Sequence, residues 1–299
     1  MKQKTISLSA WMTISALAII WGGSFLAYAL ILREVPVFSL VANRVFWASL
    51  TLWGVVVLLR VPFPSIKQWG VLFIMGILNN AIPFSLIAWG QVHIESGLAS
   101  ILNGTTTIFT FVLASLVFND ERLTNKKSLG IITAFVGVCA IIGLEALGNF
   151  DLRSLAQFSL LVASMSYAFA AVWARSQIKN VHPIMAATAM LTGSSAVLIP
   201  IALFIDGVPN YNLTTLTLSS MVFLSIPATA IAYLLYYRAL RQAGSANLSL
   251  VTLLVPPMAV FWGAIFLQEK LAVSAYLGFA LIAFGMLIVD GRLFGKDQT

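Results

Sequence analysis

Arg44 is the one basic side chain that falls well inside a long apolar run, about two turns after Pro36. At roughly 1.5 Å of rise per residue it lies about 10 Å below the start of its helix. A central arginine costs on the order of 2.5–3.5 kcal/mol on membrane-insertion scales, so its presence asks for a reason. One reason is chemical: a guanidinium in apolar surroundings is a hook for a carboxylate or a phosphate. The other is structural, a long side chain that snorkels to the interface or holds helix carbonyls. Neutral polar and aromatic residues are scattered through the other runs. They are Trp21, Ser24 and Tyr28; Asn79 and Asn80 just before Pro83; Trp89 and Gln91; Asn103 and Thr106; and Tyr167, Tyr233 and Tyr237. In lipid such groups face a cavity or a partner helix. Together they suit a small amphipathic or aromatic solute.

The acidic residues have other work. Glu121 and Glu269 sit between apolar runs, in matching places near the starts of the runs that follow. A carboxylate there complements a helix N-terminal dipole, which reads as anchoring. Only Asp290, at one end of the last run, approaches the interior, and His93 and His182 stand at run ends. An intramembrane enzyme would want a Ser–His pair, paired aspartates or a His–Glu cluster within the runs, and none is there. The single Cys139 rules out an intramolecular disulfide and a thiolate metal cluster. No nucleotide-binding loop is present. The chain is therefore expected to be no enzyme, with no metal and no cofactor. Its expected partners are a small-molecule substrate and the lipid bilayer, with no nucleic acid, and it is expected to be a monomer or a homodimer.

The elements that must position these residues follow from composition. Hydrophobic residues make up 60% of the 299 and charged residues 9%, with a mean hydropathy of +0.96; soluble domains hold about 45–50% and 25%. This is an all-α integral membrane protein. Ten runs of spanning length are predicted, at 8–32, 37–59, 69–90, 97–118, 128–147, 155–177, 183–205, 216–238, 246–267 and 271–289. The first follows Lys2 and Lys4 but is longer than a signal-peptide core, and is read as a retained span. With the N-terminus inside, thirteen Lys and Arg fall on the inner side. Only Arg33, Arg153 and Lys270 fall on the outer side. That bias places both termini in the cytoplasm and the protein in the cytoplasmic (inner) membrane.

The chain also echoes itself. Phe118, Glu121, Leu123, Leu129, Gly130 and Gly137 recur 148 residues later as Phe266, Glu269, Leu271, Leu277, Gly278 and Gly285. Upstream, at a shift of 147, Pro36 is echoed by Pro183 and Gly97 by Gly244. Two repeats are read, 1–147 and 148–299, of five spans each. An odd number of crossings turns the second upside down relative to the first. The expected architecture is ten transmembrane helices as two inverted five-helix repeats around a central cavity, the arrangement of many secondary transporters. Gly130 and Gly137, with Gly278 and Gly285, mark close helix packing.

Trp21-Gly22-Gly23-Ser24-Phe25, Pro36 with Arg44, the stretch Ser96 to Asn103 and the doubled Glu-basic-Leu cassette carry a resemblance. The chain resembles the drug/metabolite transporter superfamily, specifically its bacterial EamA type, over essentially its whole length. The resemblance implies a helical basket in which spans 1–4 and 6–9 surround a cavity, with spans 5 and 10 peripheral. It implies alternating-access movement of small organic metabolites: amino acids, drugs, or flavins. The polar and aromatic residues, with the stretch from Gln91 to Asn103, lean toward a riboflavin-like or other heteroaromatic solute. One departure stands out. Relatives often carry a proline where this chain has Thr105-Thr106-Thr107, whereas Pro256-Pro257 interrupts span 9, so the two halves are expected to bend differently.

Overall fold

Helix after helix begins where a side chain can take up its free N–H groups. The structure, a computed structural model, describes residues 7–118, 124–142, 151–210, 212–243, 248 and 250–289. Numbered by apolar run, its helices are α1 Leu8–Ile31, α2 Val37–Leu58, α3 Ile66–Gln91, α4 Ser96–Val117 and α5 Asn125–Ile142. They continue with α6 Leu152–Gln177, α7 Pro183–Ile205, α8 Thr215–Ala243, α9 Leu250–Phe266 and α10 Val273–Val289. Ser7, Ser65, Asp151 and Thr214 cap α1, α3, α6 and α8 through their side-chain oxygens, and Pro183 opens α7. Among the described residues there is no strand. Seven helices, α1–α4 and α6–α8, are long and apolar enough to cross a membrane, and α9 and α10 are shorter apolar helices.

Several boundaries differ from the hydropathy reading by a few residues, α5 starting at Asn125 and α6 at Leu152, and two of the differences have a plain cause. The reciprocal Ser65–Gln68 capping box starts α3 at Ile66, three residues early, because capping acts on backbone donors whatever the hydropathy. Beyond Tyr237, α8 continues to Ala243 as an amphipathic tail, with Ala239 buried and Arg238 and Arg241 exposed.

Corresponding helices of the two halves pack against each other and run in opposite directions. In the α5–α10 pair, a Cβ on Gly137 would stand 2.6 Å from the carbonyl oxygen of Gly278, and one on Gly285 would meet the carbonyl of Gly130. Advancing along α5 thus means retreating along α10. The α2–α7 pair behaves alike: Asp206 takes the N–H of Ser39 at 2.6 Å, Ser49 meets Thr192 at 3.0 Å, and Val56 packs on Met185. Elsewhere α1 lies against α8 and α9, and α6 against α3 and α4. Each half therefore closes on the other rather than on itself.

Three helices are interrupted where those contacts meet. A π turn, Ile77–Ala81, lies within α3, and another, Ile226–Ile231, within α8. Pro83 has no N–H, so the Leu78 carbonyl five residues back loses its donor; the Ser166 hydroxyl of α6 takes it at 2.7 Å. In α4 the helix opens at Gly104–Thr105, where Thr105 and Thr106 turn their hydroxyls back onto the Leu102 and Asn103 carbonyls. The halves do bend differently, but the break falls in proline-free α4, while α9 stays helical through Pro256 and Pro257. A Cβ on Gly104 would lie 3.7 Å from the Pro256 ring, so the break and Pro256 face each other.

At α5–α10, Gly285→Ala forces a methyl against Gly130 and Ala134. It is expected to cost about 1–3 kcal/mol by overpacking. Gly54→Ala, with nothing within 4 Å, is the control. Thermal unfolding in detergent should show a lower midpoint for the first only.

A pH effect follows from Glu34, whose carboxylate accepts from the Thr214 N–H and from the Thr214 and Thr217 hydroxyls. Those bonds, the Thr214 hydroxyl foremost, hold its pKa below the ordinary carboxylate value. The clasp is complete above that ordinary value and is lost as pH falls through the lowered one. Glu34→Gln should flatten the acid limb of the stability profile.

Candidate functional site

Where α2 crosses α8, Arg44 is buried at 6% exposure. Its Nε donates to Thr229 Oγ1 at 2.8 Å and its Nη1 to Tyr28 Oη at 2.7 Å. One face of the guanidinium lies 3.6 Å from the centroid of the Phe84 ring. It neither snorkels nor holds helix carbonyls. Among the described residues no carboxylate pairs with it, and three of its five N–H donors meet no partner. Two charge-assisted bonds at about 1.5–3 kcal/mol each, with a cation–π contact of about 1–2 kcal/mol, offset its insertion cost. They leave its charge uncancelled.

The π turns bring the second part of the site to the same place. Thr229 lies in the turn of α8 and passes its own proton to the Leu224 carbonyl at 2.8 Å. Across from it, in the turn of α3, Asn80 donates to Ser194 of α7 at 3.1 Å and accepts from Tyr233 of α8 at 2.8 Å. Asn79 donates to the same Tyr233 hydroxyl at 3.0 Å. Ser194 in turn reaches the Gly76 carbonyl at 3.0 Å and that of Met190 at 2.7 Å. Tyr167 of α6 is within electrostatic reach of Arg44, Tyr28 and Tyr233. Six residues expected from the sequence, Tyr28, Arg44, Asn79, Asn80, Tyr167 and Tyr233, thus gather around the two turns.

The remaining ones fall elsewhere. Trp21 of α1 sits 6.0 Å from Tyr236, whose edge meets Tyr237 at 5.6 Å, so these rings form an α1–α8 contact. Ser24 and Thr106 spend their hydroxyls on the Trp21 and Asn103 carbonyls of their own helices. Trp89 stacks edge-on with His93 at 5.1 Å near the end of α3. Gln91 donates to the Phe25 carbonyl at 2.9 Å, while its Oε1 is buried without a partner, as is Asn103 Oδ1. Glu269 is an anchor, but the helix it serves is α4 rather than α10, which begins beside it. It accepts from the Ser96 N–H at 2.8 Å, the Ser96 hydroxyl at 2.8 Å and the Gly97 N–H at 3.1 Å. Glu121 lies outside the described residues.

Phe84, Ser166, Ser194 and Thr229 were not among the residues that the sequence singled out. A signal for them exists: Asn80 and Thr229, like Phe84 and Tyr233, are 149 residues apart. The echo around the π turns is thus offset from the 147 and 148 of the flanking matches.

Comparison with known proteins agrees with this architecture. The profile of the EamA-like transporter family matches twice, over residues 8–143 and 154–289. An uncharacterized transporter of Archaeoglobus fulgidus is 28% identical, covering 94% of this chain and 99% of its own length. A probable amino-acid metabolite efflux pump of Salmonella typhimurium is 26% identical, covering 90% and 91%. A solved protein crystal structure shares the fold with a TM-score of 0.66 at 15% identity, over 96% of this chain and 99% of that one.

The cross-half cap has a direct consequence. Glu269→Ala removes three bonds from the N-terminus of α4 and should destabilise the folded protein by about 1–2 kcal/mol. Glu269→Gln, which keeps an acceptor, should lose less. Thermal midpoints of the two variants in detergent measure the difference.

Proposed function

The chain belongs to the EamA-like transporter family, and on that premise we propose a secondary carrier that takes a small organic solute bearing a carboxylate, with Arg44 as its hook. The observation that carries this reading is the buried guanidinium of Arg44. It is held by neutral hydroxyls and an aromatic face where helices of both halves meet, with no carboxylate paired to it among the described residues. Tyr28 and Phe84 pack on it, and Tyr167 and Tyr233, close enough to feel its charge, add aromatic surface for the solute body. An amino acid with an aromatic or apolar side chain fits that chemistry, and the Salmonella relative is named for amino-acid metabolites. A flavin-like heteroaromatic, toward which the polar and aromatic residues lean, would use the same rings but offer the guanidinium only neutral carbonyl and ring-nitrogen acceptors.

In this reading the repeats 1–147 and 148–299 are inverted copies that make ten crossings around a central cavity, which opens alternately to each side. The antiparallel α5–α10 and α2–α7 pairs support the inversion. The distribution of Lys and Arg supports cytoplasmic termini in the inner membrane.

Two measurements test the proposal. Uptake into proteoliposomes, screened with amino acids and their neutral amides, flavins, nucleosides and drugs, should select carboxylates. Arg44→Gln should weaken their apparent affinity by roughly 10- to 100-fold, the loss of one charge-assisted pair, with the folded yield kept. Uptake of the amides and carboxylates alike would sink the hook. For topology, cysteines replacing Lys126 and Lys270 in a Cys139→Ala background should label from the inside and the outside respectively. Labelling of both from one side contradicts the inversion.

A further inference from the structure

The two π turns are pinned by unlike chemistry. In α3 every bond is neutral and interior: Asn80 and Ser194 are fully buried, Asn80 is bonded through both ends of its amide, and Ser166 fills the carbonyl left by Pro83. In α8 the pin is the charged Nε–H of Arg44, seated on Thr229. We propose that Thr229 couples solute binding to bending of α8: a carboxylate that takes the side-on Nε–Nη2 fork of Arg44 displaces the Thr229 hydroxyl and releases the π turn, while the turn of α3 stays pinned. This rests on the reading of Arg44 as the carboxylate hook.

Hydrogen-bond capacity carries the argument. Nε has a single hydrogen, and Thr229 holds it. A carboxylate that takes the Nε–Nη2 fork in the bidentate way must therefore displace Thr229. The exchange is favoured by geometry and charge, because a carboxylate meets the guanidinium fork with two parallel bonds where Thr229 supplies one neutral acceptor. Displacement then reaches the backbone. The Thr229 hydroxyl accepts from Arg44 and donates to the Leu224 carbonyl five residues earlier, so the guanidinium charge strengthens the second bond through the first. Once the charge leaves, the clasp across the turn weakens, in a segment where Pro227 already removes one N–H. π turns within helices are common sites of functional bending. Thr229 is thus a positioning residue that acts through Arg44 and the Leu224 carbonyl.

The test uses full-length protein with Cys139→Ala and one cysteine reporter. Ser220→Cys, on a buried face of α8 before its turn, reports bending there; Ser85→Cys, just past the turn of α3, is the comparison. Maleimide labelling rates are read in detergent without ligand, with L-phenylalanine and with L-phenylalaninamide. Without ligand, Thr229→Val should raise the rate at 220 several-fold and leave 85 unchanged, while Thr229→Ser keeps the original rate. L-phenylalanine should raise the rate at 220 in the Thr229 protein, add nothing in Thr229→Val, and be matched by no effect of the amide. An unchanged rate at 220 in Thr229→Val overturns the coupling. So does an Arg44-dependent thermal shift by L-phenylalanine with no change at 220, since the carboxylate then binds without releasing the turn. Absence of any thermal shift by carboxylates counts against the hook itself, and the ligand-free comparison still decides the role of Thr229.

Discussion

A guanidinium held inside a bundle of apolar helices, with no carboxylate beside it among the described residues, constrains everything around it. Its charge must be met by dipoles and rings. Those must come from several helices, because one helix offers its own side chains in only one direction. Arg44 collects Tyr28 from α1, Phe84 from α3 and Thr229 from α8. The π turn of α8 is part of the same solution, since it carries Thr229 and presents its hydroxyl to α2. A water-exposed arginine would impose none of this.

The second constraint is that each half holds helix ends of the other. The N-terminus of α4 is capped by Glu269 from the other half, that of α2 by Asp206, and that of α8 by Glu34. Glycines without side chains let α5 and α10 approach until backbones nearly touch. Such contacts tie equivalent elements crosswise, so a shift in one half is felt at helix ends in the other. For the carrier proposed above, such crosswise ties would link the two packings that alternating access requires.

Much of the architecture was legible from hydropathy and spacing. The helices follow the apolar runs closely, and the echo of Gly130 and Gly137 in Gly278 and Gly285 marked the face on which α5 and α10 meet. Interruptions were less legible. Pro256-Pro257 drew attention to α9, yet the break lies at Gly104–Thr105, where threonine hydroxyls compete for carbonyls and Pro256 faces it. For the site, the buried charge and the tyrosines stood out because such residues are rare and costly in lipid. Thr229 and Ser194 did not, because a lone hydroxyl in a span usually bonds its own helix. Their partners become apparent only once α2 and α7 are laid across the π turns. Glu269 was read as an anchor from its position alone, but the helix it serves is distant in sequence and only packing reveals it.

The account turns on what occupies the donors of Arg44 when a solute is bound. A structure determined with 4-bromo-L-phenylalanine, located by anomalous scattering, addresses that directly. The account predicts the carboxylate within hydrogen-bonding distance of the Arg44 guanidinium and the brominated ring among Phe84, Tyr167 and Tyr233. Bromine elsewhere, beside Gln91 and Asn103 for example, with Arg44 still seated on both Thr229 and Tyr28, contradicts it.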